Sequence, residues 1–169
     1  FSSLIFDLDG TLIDSVIVVR AALNQLLNEY GRPSLSDSEV RMLIGEGVEP
    51  MINNAFAQTG SQPTPGHINS LVQRYLEYYL NTNQDRKIVY PGVIELLEVF
   101  ANRGIQMGVC TNKPKQSTHA ALEALDLAHY FSTVICPEDT PYRKPDPRHV
   151  EHTLMNMGGE KISSLFIGD

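Results

Sequence analysis

The chain has 169 residues, and 13 lysines and arginines against 20 aspartates and glutamates give a formal net charge of −7. This length suits one compact domain or a domain with a small inserted cap, and 42% hydrophobic residues permit a buried core. The acidic balance argues against nucleic acid as a partner, and the apolar runs fall far short of the ~20 residues of a membrane span. Cys110 and Cys136 lack a metal-binding spacing, which indicates buried thiols in a reducing cytoplasm.

The first half of the chain predicts one short strand followed by helices. Residues 4–8 (Leu-Ile-Phe-Asp-Leu) indicate a short buried strand, and Gly10 ends it. Apolar residues then recur at helical spacing. The predicted helices start at Val16, follow a capping box at Ser36 and Glu39, run over 49–58, and run over 68–80 after a loop at 60–66. Residues 15–83 are therefore predicted to be all-helical.

After Pro91 the pattern changes to alternating helices and strands. The predicted elements are a helix at 92–103, a strand at 105–110, a helix at 115–126, a strand at 133–135, a loop at 137–147, a helix at 147–157 and a strand at 164–167. Such alternation predicts an α/β fold, a Rossmann-like parallel sheet with helices on both faces. We expect residues 1–14 and 88–169 to form this core, with 15–87 inserted as an all-helical cap.

Polar residues follow each predicted strand. They are Asp7 and Asp9, then Thr111, Asn112 and Lys113, then Lys144, and finally Asp169. In a parallel sheet these positions share one edge, where ligands of open α/β sheets bind. Carboxylate oxygens suit Mg²⁺, and lysine offsets negative charge on phosphoryl oxygens. The spacing of Asp7 and Asp9 predicts two carboxylates on one side of an extended segment.

The order of these motifs resembles the haloacid dehalogenase superfamily. The motifs are Phe6 to Thr11, Cys110 to Lys113, Lys144, and Gly168 with Asp169. Within the superfamily, four further segments resemble the phosphoglycolate phosphatase group, whose members carry a helical cap. Those segments are Asp14 with Ser15, and residues 43–47, 90–93 and 143–147. The resemblance implies a phosphatase that acts on a small phosphorylated metabolite, with 2-phosphoglycolate as the favoured substrate. It also implies a monomer or a homodimer.

The resemblance also implies a role for each motif residue. Asp7 attacks phosphorus and becomes an aspartyl-phosphate, which requires an ionised carboxylate. Asp9 protonates the leaving oxygen and then deprotonates the water that hydrolyses the intermediate. Thr111 and Asn112 bind the phosphoryl oxygens, and Lys144 holds both the phosphate and the nucleophile.

The same resemblance assigns the cofactor Mg²⁺ to Asp7, the backbone carbonyl of Asp9, and Asp169. Members of the family carry a second acid beyond the fourth motif, and the sequence ends at Asp169 before reaching it. We therefore expect the protein to continue past this residue, and to begin before Phe1. A true end at Asp169 would weaken the metal site.

The loop Gly45, Glu46 and Gly47 is a candidate for substrate specificity, because the corresponding loop in capped relatives points at the substrate. An ordinary helix–helix turn is the alternative. Two roles are likewise open for Lys113, which can approach the substrate or cap the helix that follows it.

Two arginines, Arg20 and Arg41, are candidates for binding a substrate carboxylate, or they lie on solvated helix faces. His149 and His152 stand three positions apart on a predicted helix, and we expect both at the solvated surface. No lysine occurs in 15–83, which excludes a Schiff-base route of the phosphonate-cleaving relatives.

Three functional hypotheses follow. The first is a magnesium-dependent phosphatase for a small phosphomonoester. The second is a sugar-phosphate phosphatase or phosphomutase of the same fold, with the mutase disfavoured by Thr11. The third is a binding protein that uses the fold without catalysis.

Overall fold

The computed structural model describes residues 1–82 and 84–168. The chain divides into two compact units, Phe1–Asp14 with Asp85–Asp169, and Ser15–Gln84. Residues 85–87, which the sequence placed with the helices, therefore belong to the first unit. The reason is local, because Arg86 forms an ion pair of 2.7 Å with Asp126 and donates to the Leu125 carbonyl oxygen.

The described residues form one strand followed by helices, and strands and helices then alternate after Pro91, as predicted. In chain order they are β1 (Ser3–Phe6), α1 (Val16–Glu29), α2 (Asp37–Arg41), α3 (Val48–Thr59), α4 (Ile68–Asn81), α5 (Val93–Asn102), β2 (Gln106–Cys110), α6 (Lys115–Ala124), β3 (Thr133–Ile135), α7 (Pro147–Met157) and β4 (Ser164–Ile167). Short 3-10 helices cover Arg86–Ile88, Ala128–Tyr130 and Lys161–Ser163. The predicted helices and strands are confirmed to within a few residues at their ends.

The first unit is built on a four-stranded sheet with the order β3-β2-β1-β4. All neighbouring strands are parallel, so the carboxyl ends of the strands meet at one edge. Every residue of β1 is buried, as expected for a strand inside a parallel sheet. This arrangement confirms the predicted parallel α/β fold and places the residues after β1, β2 and β4 side by side.

The second unit consists of α1 to α4. The apolar stripe of α1 is buried and α1 packs against α4; Leu23 of α1 and Tyr79 of α4 are both fully buried. Helix α1 ends at Glu29, and Gly31 just beyond it has a φ of 64°, the left-handed conformation that glycine favours. The capping box predicted at Ser36 and Glu39 is present at the start of α2.

The chain leaves β1 earlier than the sequence indicated. The predicted strand ran to Leu8, whereas β1 ends at Phe6 and the Leu8 carbonyl oxygen accepts hydrogen bonds from the N–H groups of residues 11–13. Gly10, at a φ of 82°, permits this turn. Asp7 and Asp9 therefore both lie beyond the end of β1 and before the turn at Gly10, and each carboxylate has its own partner.

The position of His149 also differs from the prediction. The sequence placed it at the solvated surface, but its side chain is fully buried on α7. Among the described atoms, neither ring nitrogen has a hydrogen-bond partner. Burial and nearby positive charge at Lys144 lower the pKa of His149. The pattern of apolar residues along α7 did not predict that His149 is buried, because histidine is a polar residue.

Within the described residues, no helix has the length and apolar character needed to cross a membrane.

Candidate active site

Asp7 sits directly beyond β1, at the carboxyl edge of the sheet. Its N–H donates to the Ile167 carbonyl oxygen of the neighbouring strand at 2.9 Å. Its Oδ1 accepts from the N–H of Leu8 at 2.7 Å, and its Oδ2 lies 2.5 Å from Nζ of Lys144. The main chain thus fixes the position of Asp7 from the sheet side, and a lysine holds its carboxylate.

The electrostatics of Asp7 combine two opposing effects. Burial raises the pKa of the Asp7 carboxyl above its ordinary value, and this effect is the larger one. The positive charge of Lys144 and the N–H of Leu8 act in the opposite direction, because both favour the ionised form. Lys144 thus favours the ionised form of Asp7, which the predicted role of this residue as a nucleophile requires.

Lys144 is held in place by contacts of both its backbone and its side chain. The side-chain amide of Asn112 donates to the Lys144 carbonyl oxygen at 3.0 Å, and the Lys144 N–H donates to Asn112 Oδ1 at 3.0 Å. Nζ of Lys144 also lies 5.5 Å from the centre of the Phe166 ring. The loop behind Lys144 ends in Asp146, which caps α7 by accepting from the Arg148 N–H.

Asp9 has a separate lysine partner. Nζ of Lys113 lies 3.2 Å from both carboxylate oxygens of Asp9. Only 6% of the Lys113 side chain and 15% of the Asp9 side chain are exposed. Thr111 is buried beside this pair, and its hydroxyl oxygen accepts from the Lys113 N–H at 3.1 Å.

The structure therefore brings together most of the residues selected from the sequence, in two neighbouring groups. One group contains Asp7, Asn112 and Lys144; the other contains Asp9 and Lys113. The amide of Asn112 bonds the Lys144 backbone, and its predicted contact with phosphate stays a prediction. The roles of the individual residues likewise stay predictions.

Of the remaining predicted residues, Asp169 lies outside the described residues. Gly45, Glu46 and Gly47 form the turn before α3 in the helical unit, where Gly45 and Glu46 are exposed. Arg20 pairs with Asp37 at 2.8 Å, and 41% of its side chain is exposed, which agrees with a solvated helix face.

The Lys113–Asp9 pair and the Asn112 clamp on Lys144 are contacts that the sequence did not reveal. The paired residues stand 104 and 32 positions apart. The sequence indicated only that each of these residues lies after a predicted strand. Partner choice depends on the path of the loops after the strands, which neither periodicity nor spacing determines.

The donor set at the strand edge fits a hard divalent cation. The Asp7 carboxylate and the Asp9 carbonyl are oxygen ligands of the kind that Mg²⁺ prefers. Residues 1–82 and 84–168 contain no group of three or more histidine, cysteine or acidic side chains able to hold a metal. The third ligand predicted from the sequence is Asp169, which is not among those residues.

These residues lie at the carboxyl edge of a parallel sheet. Residues 4–169 match the family described as haloacid dehalogenase-like hydrolase, and the chain belongs to this family. The resemblance seen in the sequence motifs is thereby confirmed.

Within the family, the chain is similar to phosphoglycolate phosphatases. It is 34% identical over 165 residues to the phosphoglycolate phosphatase of Agrobacterium fabrum, covering 98% of this chain and 71% of that protein. It is 36% identical over 171 residues to that of Rhodospirillum rubrum, covering 99% and 71%. A crystal structure of a "predicted phosphoglycolate phosphatase" from Haemophilus somnus superposes with a TM-score of 0.87 at 28% identity, covering 100% of this chain and 77% of that one.

Proposed function

We propose that the chain hydrolyses 2-phosphoglycolate, a small phosphomonoester, through a covalent aspartyl-phosphate on Asp7. The observation that carries the proposal is the Asp7–Lys144 contact of 2.5 Å at the carboxyl edge of the sheet. The family and the similarity to phosphoglycolate phosphatases support the same reaction. A carboxylate nucleophile splits a difficult hydrolysis into two easier transfers.

In the first transfer, a carboxylate oxygen of Asp7 attacks phosphorus. The bond between phosphorus and the ester oxygen breaks, and the Asp9 carboxyl donates its proton to that oxygen, so that the alcohol glycolate leaves. Lys144 orients the Asp7 oxygen and offsets the charge on the phosphoryl group.

In the second transfer, water attacks the phosphorus of the aspartyl-phosphate. The Asp9 carboxylate accepts a proton from this water, and the bond between phosphorus and the Asp7 oxygen breaks. Inorganic phosphate leaves, and the Asp7 carboxylate and the protonated Asp9 are restored. Asp9 thus acts in both transfers and finishes in its starting state.

The phosphoryl oxygens bind to residues that follow β2 and β3. Thr111 offers its hydroxyl hydrogen, because its oxygen already accepts from the Lys113 N–H. Asn112 contributes an amide N–H, and Lys144 a positive charge. The Asp7 carboxylate, the Asp9 carbonyl and Asp169 would hold Mg²⁺, which would supply positive charge that reduces the repulsion between phosphate and nucleophile.

The helical unit, residues Ser15–Gln84, acts as a cap in this proposal. Its turn Gly45, Glu46 and Gly47 selects the substrate, and the cap excludes water during the first transfer. Two buried free thiols, Cys110 and Cys136, agree with a reducing compartment, and we place the protein in the cytoplasm.

The test is phosphate release from a panel of small phosphate esters, with Mg²⁺ and with a chelator. We expect 2-phosphoglycolate to be the best substrate, activity to require Mg²⁺, and Asp7→Asn to abolish turnover. Asp126→Asn is the matched control, because Asp126 is 71% exposed at its side chain and has a φ of 57°, which asparagine accepts.

Other outcomes select the other hypotheses. Isomerisation of a hexose phosphate without phosphate release would select a phosphomutase. Faster hydrolysis of a sugar phosphate than of 2-phosphoglycolate would select a sugar-phosphate phosphatase. A folded protein that turns over no ester would select a binding protein. Full activity of Asp7→Asn would exclude the covalent mechanism.

A further inference from the structure

The aromatic ring of Phe166 faces the ammonium group of Lys144. Nζ of Lys144 lies 5.5 Å from the centre of the ring, which is within the distance of about 6 Å at which a cation and an aromatic face attract each other. The same Nζ lies 2.5 Å from Oδ2 of Asp7. A lysine ammonium group has three N–H donors, so it can contact a carboxylate, an aromatic face and a phosphoryl oxygen at the same time.

The position of Phe166 is fixed by the pair of strands that also places Asp7. In the parallel ladder of β1 and β4, Phe166 pairs with Ile5. Directly after β1, the Asp7 N–H donates to the Ile167 carbonyl oxygen at 2.9 Å. Lys144, in contrast, belongs to the loop before α7, and groups on a sheet are held more precisely than groups on a loop. The ring and the carboxylate therefore form a rigid reference for the lysine.

The surroundings of the Phe166 ring also depend on a glycine. A Cβ added at Gly168 would lie 2.9 Å from two atoms of the ring and 3.4 Å from Cβ of Asp7, so a side chain at this position would displace the ring. Phe166 also lines a groove with Pro147 and Val150 of α7, the helix that follows the Lys144 loop. The ring is thus placed where the end of β4 meets the start of α7.

The side chain of Lys144 needs a contact near its charged end. The two hydrogen bonds with Asn112 hold the Lys144 backbone, but the ammonium group stands at the end of a flexible four-carbon stem. Only 17% of this side chain is exposed, so solvent surrounds little of it. The Phe166 ring can restrict the stem at the end that the backbone contacts do not reach.

We propose that Phe166 is a positioning residue that holds the Lys144 ammonium group on the Asp7 carboxylate through a cation–π contact. Phe166 itself touches neither the substrate nor the phosphoryl group. The inference rests on the proposed function, because it takes Lys144 as the group that orients the nucleophile and offsets phosphoryl charge. Its consequence is that activity depends on the electron density of the ring face as well as on the size of the ring.

The test replaces Phe166 with phenylalanines that carry one, two or three ring fluorines. Each fluorine weakens the attraction of the ring face for a cation and changes the shape of the ring little. We expect kcat/KM for 2-phosphoglycolate, measured with Mg²⁺, to fall stepwise with each fluorine, by about 3-fold in total. Phe166→Leu, which has no aromatic face, should lower it by about 10-fold, and Phe166→Tyr should restore it to within about 2-fold.

The matched control is a second cation–π contact in the helical unit. The Arg32 guanidinium lies 4.4 Å from the centre of the Phe56 ring. The same three fluorinated residues at Phe56 weaken a contact of the same kind away from the strand edge, so kcat/KM should stay unchanged. A loss that the Phe56 series reproduced would come from general destabilisation and would overturn the inference.

A second measurement reports the contact without any turnover. The Phe166 ring should shift the NMR signals of the Lys144 ε-methylene protons upfield, and Phe166→Leu should remove this shift. Loss of the signals in Lys144→Arg assigns them. Signals at the position of an exposed lysine in the unmodified protein would overturn the inference.

The kinetic outcomes are equally distinct. A drop in Phe166→Leu without a graded loss across the fluorinated series would show that the ring only fills space, and this would overturn the inference. Because fluorination preserves the shape of the ring, the series does not depend on folding of the leucine variant. Failure of the proposed function has another signature, since the unmodified protein would not hydrolyse 2-phosphoglycolate or Asp7→Asn would keep full activity, while the NMR measurement would still decide whether the contact exists.

Discussion

The clamp between Asn112 and Lys144 gives the most quantitative prediction. Two hydrogen bonds of 3.0 Å join the Asn112 amide to the N–H and carbonyl groups of Lys144, and Asn112 is 8% exposed. Each such bond contributes about 1 kcal/mol to stability. Asn112→Ala should therefore lower the free energy of unfolding by about 2 kcal/mol, and this raises the unfolded fraction by about 30-fold.

The same substitution should reduce catalysis. Without the clamp, the Lys144 backbone is no longer fixed relative to the strand edge, and its Nζ loses its defined contact with Asp7. A misplacement of about 1 Å at a catalytic group can cost 100-fold in rate. We expect kcat for 2-phosphoglycolate to fall by about 10- to 100-fold, under conditions where the variant is still folded.

Urea unfolding measures the stability change, read as a lower midpoint with an unchanged slope. Asn112→Asp should be at least as destabilising as the alanine variant, because it places a carboxylate oxygen where the amide donated to the Lys144 carbonyl oxygen. Asn156→Ala is the control, since Asn156 is exposed on α7 and donates one bond to the His152 carbonyl oxygen. If Asn112→Ala matched this control in stability and kept full kcat, the clamp would have no role.

Three further predictions concern other parts of the fold. Gly108→Ala places a Cβ 2.6 Å from Sδ of Met157, so thermal unfolding should show a loss of about 1–3 kcal/mol. The buried His149 has a lowered pKa, so on acidification the unfolded chain takes up a proton that the native ring does not. The urea midpoint should therefore fall as the pH drops below 6.5, the ordinary pKa of histidine. His149→Phe should flatten this decline, whereas the control His119→Gln should not. Ser36→Ala removes the capping box of α2 and should cost about 0.5–2 kcal/mol in urea unfolding.

The elements of this fold were predictable from the sequence where one residue pattern determines one structure. The apolar stripe of residues 68–80 became α4, and the spacing of Ser36 and Glu39 became a capping box. The alternation after Pro91 predicted a parallel sheet because parallel strands need helical crossovers between them. The strand edge then followed, since all parallel strands end on the same side.

The contacts within the site were not predictable in the same way. The spacing of Asp7 and Asp9 predicted two carboxylates on one side of an extended segment, but it did not predict that each carboxylate contacts a different lysine. Lys113 and Asp9 come together only when β1 and β2 pair. Local periodicity carries no information on such long-range pairing, which depends on strand order and loop geometry.

His149 shows a further reason for a wrong prediction. Its spacing from His152 indicated a polar face, yet it is the fully buried member of the pair. Whether a single histidine is exposed depends on which face of its helix it occupies. A helix that packs on a sheet has one face against the sheet and the other in solvent. Only the packing of α7 on the sheet decides which face a given residue occupies.

The central claim is that Asp7 carries the phosphoryl group during turnover. Mixing the protein with 2-phosphoglycolate and Mg²⁺, quenching with acid within one turnover, and sequencing the peptides by mass spectrometry tests it directly. We expect the mass of one phosphoryl group on the peptide that contains Asp7, located at Asp7 itself, and no such label in Asp7→Asn. Turnover without a label, or with a label on another residue, would contradict the account.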